Sequence, residues 1–219
     1  MRVFSQVVSW VLMPILMPML GLILVMYTIS IPMSIADGNS MYQYNDAFKT
    51  TILSFFLFFT VIAPVVLYLI LMSFGVIKTP QLDDKSERKY PMMIMSSLCF
   101  MLYFVFSRAS DELPKYIYAL CLSGGAIIGI FTYVNNYIKV SLHATGVGIL
   151  TGFVFAYVLE QLYFEIWILA VVILISGIVL SSRLYLEKHT PKELMIGYFF
   201  SLITTFVFNF YYPEGLHII

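Results

Sequence analysis

Residues 165–182 read Glu165-Ile-Trp-Ile-Leu-Ala-Val-Val-Ile-Leu-Ile-Ser-Gly-Ile-Val-Leu-Ser-Ser182, with one carboxylate at the first position and no further charge before Arg183. That is close to the ~20 apolar residues one helix needs to cross a bilayer. A charge at its centre would cost about 3 kcal/mol even on a lenient insertion scale. Outward from this run the pattern repeats. Charges fall in clusters, separated by apolar runs that carry charge only at their ends, over roughly 8–34, 50–77, 91–107, 116–138, 143–160 and 192–212. Seven spans result, of which 91–107 is the shortest. The first run opens with Arg2, but it is too long for a signal peptide and carries Pro14, Pro18 and Pro32, so a retained, kinked span is expected. The expected fold class is all-α: a polytopic transmembrane helical bundle of six to seven spans, forming a single domain over residues 1–219.

Composition supports this. Of 219 residues 61% are hydrophobic and 11% charged, against roughly 45–50% and about 25% in a soluble domain. Twelve Lys+Arg balance twelve Asp+Glu, so no basic excess exists to neutralise a nucleic-acid backbone. Cys99 and Cys121 lie in apolar runs without CxxC or Cys/His spacing, which speaks against a disulfide framework and against a metal site. Gly124-Gly125, Gly146, Gly148 and Gly152 are the small residues that let membrane helices approach closely. Tyr133/Tyr137, Tyr163/Phe164/Trp167 and Phe210-Tyr211-Tyr212 mark span ends as interfacial anchors. There is no glycine-rich phosphate loop of the Walker type.

If all seven runs cross, the loop 78–90, the junction 139–143 and the loop 183–191 share a face with the N-terminus, while 35–49, 108–115 and 161–165 share the other. The polar residues then gather on one face. The three clusters are Gln81-Leu-Asp-Asp-Lys-Ser-Glu-Arg-Lys-Tyr-Pro91, Lys139-Val-Ser-Leu-His143, and Ser181-Ser-Arg-Leu-Tyr-Leu-Glu-Lys-His-Thr-Pro-Lys-Glu193. Lys and Arg with two histidines and a carboxylate make an anion site equipped for proton transfer or for attack on phosphorus. Thr190-Pro191-Lys192-Glu193 has the form of a helix start, with Thr190 as N-cap, Pro191 first in the helix and Glu193 completing a capping box. His189 then stands just ahead of a helix N-terminus, where free N–H groups favour a bound phosphate. Ser141 similarly opens the helix that carries His143. His217 stands apart near the C-terminus and is expected at the surface.

These residues resemble the three-part signature of the type 2 phosphatidic acid phosphatase superfamily, membrane enzymes related to vanadium haloperoxidases. The family pattern has a Lys and an Arg-Pro pair, then Pro-Ser-Gly-His, then Ser-Arg, five residues, His, three residues and Asp. Here the third part is Ser182-Arg183, five residues, His189, three residues and Glu193, and the second is Val140-Ser141-Leu142-His143. Val140 and Leu142 stand for the family's Pro and Gly, and Glu193 for its Asp. Arg88 lies three residues before Pro91, with Lys85 nearest to the family lysine. The resemblance covers about 85–193.

What the resemblance implies is a lipid phosphate or pyrophosphate phosphatase that needs no metal or cofactor. His189 would attack phosphorus and form a phosphohistidine, Glu193 would hold its ring, and His143 would protonate the leaving oxygen and then activate water. Lys85, Arg88, Arg183 and Ser141 would bind the phosphate. The partners expected are a lipid phosphate substrate and the bilayer, with no nucleic acid. Two other readings stand beside this one: a phosphotransferase using the same histidine to pass phosphate to a lipid hydroxyl, and a non-catalytic lipid-binding or transport protein. A multi-pass protein is expected, in the inner membrane if the source is bacterial. Arg2, Lys78, Lys85, Arg88, Lys89, Lys139, Arg183, Lys188 and Lys192 would lie on the site face, against Lys49, Arg108 and Lys115. Most of the excess sits in the signature segments, so the positive-inside rule leaves the side open.

Overall fold

The structure, a computed structural model, describes residues 2–33, 40–77, 85–109 and 113–212, and does not describe the side chains at 85, 86 and 109. His217 and the side chain of Lys85 lie outside the described residues. The elements are α1 (Arg2–Val11), α2 (Met17–Tyr27), β1 (Ser30–Pro32), α3 (Asp46–Leu57), α4 (Ala63–Ser73), α5 (Lys85–Ala109), α6 (Lys115–Val134), α7 (Leu142–Leu159), β2 (Gln161–Phe164), α8 (Ile166–Tyr185) and α9 (Pro191–Tyr211). Among the described residues they form seven helical segments long and apolar enough to cross a membrane: Arg2–Tyr27, Asp46–Ser73, Glu87–Arg108, Lys115–Val134, Leu142–Leu159, Ile166–Tyr185 and Pro191–Tyr211. The protein is a multi-pass helical bundle.

The first two spans are broken, and proline is the cause in each. Pro14 has no N–H to continue the α-helical ladder, so α1 ends at Val11 and a 3₁₀ turn, Pro14–Leu16, leads into α2. In the second span a π-helical turn, Phe58–Ile62, precedes Pro64, and the Ala63 N–H reaches back to the Phe58 carbonyl. Such a turn takes up the irregularity that a proline imposes on the ladder. Pro32, expected within the first span, lies in β1 instead.

Two span boundaries move toward the polar clusters. The third helix begins at Lys85, not at Pro91, so Pro91 is an interior residue and Arg88 is helical. The sixth continues through Arg183 to Tyr185, where a cation near a helix C-terminus is favoured by the dipole. A two-stranded antiparallel ribbon also departs from the all-α expectation: β1 pairs with β2 in the register Ser30↔Phe164 and Ile31↔Tyr163. Its strands are three and four residues long, too short for an alternating pattern to show in the sequence.

The ribbon joins the ends of spans one and five, and Lys115 at the start of span four pairs with Glu160 just after span five at 2.8 Å. These contacts place the ends 28–32, 115 and 160–164 together at one end of the bundle, as alternating spans require.

α7 is the most buried span. It packs on α9 through Gly148 and Gly152, where an added Cβ would stand 2.5 Å from the Tyr198 carbonyl oxygen and 2.3 Å from that of Leu202. With lipid as apolar as leucine, close backbone approach supplies the dispersion contacts that hold such a pair. Its own Phe153 and Tyr157 are fully buried, as is Phe131 of α6.

Candidate active site

α8 ends in a hydrogen-bonded cap. The Glu187 N–H donates to the Leu184 carbonyl at 3.0 Å and the Lys188 N–H to that of Arg183 at 3.3 Å, the paired pattern of a Schellman motif. Glu187 takes φ 54°, the left-handed conformation that usually selects glycine at this place. The chain reverses over these residues and enters α9 at Thr190.

The start of α9 is the capping box that its sequence suggests. The Glu193 N–H donates to Thr190 Oγ1 at 3.3 Å, and the Thr190 N–H donates to Glu193 Oε2 at 3.1 Å. The same Oε2 lies 3.1 Å from His189 Nδ1. One carboxylate oxygen therefore caps the helix and orients the imidazole. The carboxylate fixes the proton on Nδ1, which leaves the Nε2 lone pair as the nucleophilic position. The His189 side chain is only 2% exposed. Burial pushes its pKa below the usual 6.5, to about 4; the Glu193 hydrogen bond acts upward, and the Arg88 and Arg183 charges act further downward. The ring is neutral at pH 7.

The second cluster comes from the start of α7. Ser141 is its N-cap, with Oγ accepting from the Ala144 N–H at 3.5 Å, and it is fully buried. His143 sits in the first turn, and its Nε2 is 3.1 Å from the Ser9 carbonyl oxygen. A carbonyl only accepts, so Nε2 carries the hydrogen and Nδ1 is the nitrogen left for acid–base work.

Two arginines tie the clusters together. Arg88, buried on α5, donates from Nη1 to the Val140 carbonyl at 3.4 Å, joining the first and second polar clusters. Arg183 Nη1 donates to Ser9 Oγ at 3.4 Å. Arg88, Ser141, His143, Arg183, His189 and Glu193 thus meet at one end of the bundle, as parity requires. Ser9 was not singled out in the sequence. Its signal was faint: Ser5 and Ser9 stand four apart in an apolar run, a polar stripe on one helix face.

A cavity of about 490 Å³ opens beside this cluster, with Arg88, Lys139, His143, Arg183 and Lys188 at its polar end. Among the described residues no Asp or Glu lines it, and no three His, Cys, Asp or Glu side chains gather as metal ligands would. His189 is not part of the lining; it adjoins the cavity through Arg88 and Arg183, whose charges it feels. The arrangement suits an anion able to be held by two arginines and attacked by a neutral imidazole.

No family model, no curated protein and no solved structure matches this chain.

Proposed function

We propose that this protein is an integral-membrane phosphatase of the type 2 phosphatidic acid phosphatase kind, hydrolysing a phosphomonoester or pyrophosphate of a lipid. The observation that carries the reading is the His189 Nδ1–Glu193 Oε2 contact at 3.1 Å, made within a Ser-Arg-x5-His-x3-Glu segment and beside Arg88 and Arg183. A buried, neutral histidine held by a carboxylate and flanked by guanidinium groups fits a nucleophile for phosphorus.

In the first step Nε2 of His189 attacks phosphorus in line, the P–O bond to the lipid breaks, and the departing oxygen takes a proton from His143 Nδ1. Charge on the three equatorial oxygens is met by Arg88 and Arg183, with the charge-assisted bonds that guanidinium makes to phosphate. As the imidazole becomes a phosphoimidazolium, Glu193 offsets its positive charge. In the second step water attacks phosphorus, His143 accepts the water proton, the P–N bond breaks, and inorganic phosphate leaves with His189 neutral again. A bound phosphate supplies the negative charge that keeps a proton on His143 at the outset.

The site's place at the polar end of a membrane bundle supports a lipid substrate. The test is phosphate release by detergent-purified protein from lipid monophosphates and pyrophosphates, with chelator present and His189→Ala as the matched control. Chelator-resistant release that vanishes in the variant supports the reading. Equal release by the variant overturns it.

A further inference from the structure

Away from its cationic end the cavity is apolar. Its far end is walled by Phe56, Leu102, Leu120, Cys121 and Ile149. Arg88 and Leu102 both line it from α5, and at 1.5 Å per residue they stand about 21 Å apart along the helix. That exceeds half of the ~30 Å hydrocarbon thickness. The cavity holds about sixteen groups of water size at ~30 Å³ each, and a methylene is of similar size. That is room on the order of one hydrocarbon chain.

The breaks in the first two spans give this cavity a side entrance. The 3₁₀ turn Pro14–Leu16 and the π turn Phe58–Ile62 pack on each other, but beyond them α1 leans on α8 and α4 on α5. The site-end halves of the two spans therefore part. Trp10 of α1 and Val65 of α4 line the cavity while remaining 71% and 43% exposed at the bundle surface, so the opening faces lipid.

We infer that this cavity binds one hydrocarbon chain of a lipid whose phosphate lies among Arg88, Lys139, Arg183 and Lys188, the chain entering from the bilayer between α1 and α4. Charge complementarity at one end and an apolar wall at the other select an amphipathic anion over a free phosphate or an uncharged lipid. The inference rests on the phosphatase reading for the identity of the head, and makes chain length a property that the enzyme measures.

The test separates the two. Hexadecylphosphonate, which resists hydrolysis, is prepared with a diazirine at the chain end and photolysed with the full-length wild-type protein in nanodiscs. Adducts are expected on the wall residues of α5 and α6, around Cys99–Leu102 and Leu120–Gly124, with competition by unlabelled hexadecylphosphonate but not by hexadecanol. Adducts confined to lipid-facing positions such as Leu174 and Phe199 overturn the inference. Gly124 gives a second measurement. A Cβ there meets nothing nearer than Cys99 Sγ at 3.8 Å, so Gly124→Leu extends into the cavity. It should shift the preference for hexadecyl over octyl phosphonate toward octyl by roughly tenfold or more, and an unchanged preference overturns the inference. Cavity adducts from a protein that releases no phosphate would sink the phosphatase reading and leave the binding site standing. Phosphate release with exterior adducts only would do the reverse.

Discussion

Pro14 rests on Gly146: a Cβ added to the glycine would stand 2.8 Å from the Pro14 Cα. The break in the first span is seated on the most buried helix of the bundle, and that seat holds Ser9 against His143 and Arg183. Gly146→Val should force the two backbones apart. Overpacking of this kind costs about 1–3 kcal/mol, so thermal unfolding in detergent should fall by several degrees, with phosphate release reduced as the Ser9 contacts are lost. Unaltered melting would mean that the contact bears no weight.

Glu193 serves a helix and an imidazole through one oxygen, and the two roles separate by substitution. Glu193→Gln keeps an acceptor for the Thr190 N–H and removes the charge that steadies the imidazolium. Glu193→Ala removes both, and with the acceptor goes one of the two reciprocal bonds of the capping box. Turnover should fall in both variants, by roughly 10²–10⁴ in the alanine variant, while melting drops clearly only in the alanine variant. Parallel losses of stability and rate in the two would argue that the carboxylate is a cap alone.

The depressed pKa of His189 makes a pH prediction with a definite sign. The nucleophile is active when neutral, so kcat/KM should fall on the acid side only as pH approaches about 4, well below the ordinary histidine value of 6.5. For stability, the unfolded chain takes up a proton here before the native state does. The contribution of this group is fully present above pH 6.5 and is lost as pH falls toward 4. Melting of wild type and His189→Gln at pH 7.5 and pH 5 measures it: wild type should lose more on acidification.

Alternation of the seven spans is open to chemical labelling. Tyr137 and Leu162 are 68% and 71% exposed at opposite ends of the bundle, and the native Cys99 and Cys121 are buried. Single cysteines placed at Tyr137 and Leu162 should react with a membrane-impermeant maleimide from opposite sides of sealed vesicles. Reaction of both from the same side would contradict the crossing of Leu142–Leu159, the span between them.

The spans themselves were legible because the bilayer sets a long and simple rule: about twenty residues without charge. The capping box at Thr190 and Glu193 was legible for a similar reason, since its hydrogen bonds lie within four residues. Helix lengths around Arg88 and Arg183 were less so. Charge marks where a chain meets water, yet a helix can carry an arginine past the apolar run and bury it against a backbone carbonyl, as Arg88 does on Val140.

Sequence alone determined a membrane bundle, the common end at which its polar clusters meet, and the local frame of His189. Tertiary structure decided what those clusters touch. Ser9 reaches His143 across 134 positions of chain, β1 finds β2 across a similar interval, and the cavity takes shape where two proline-broken spans meet α5, α6 and α7. Local rules act over a turn of helix, whereas contacts between distant segments depend on how whole helices pack, and no short pattern of residues encodes that.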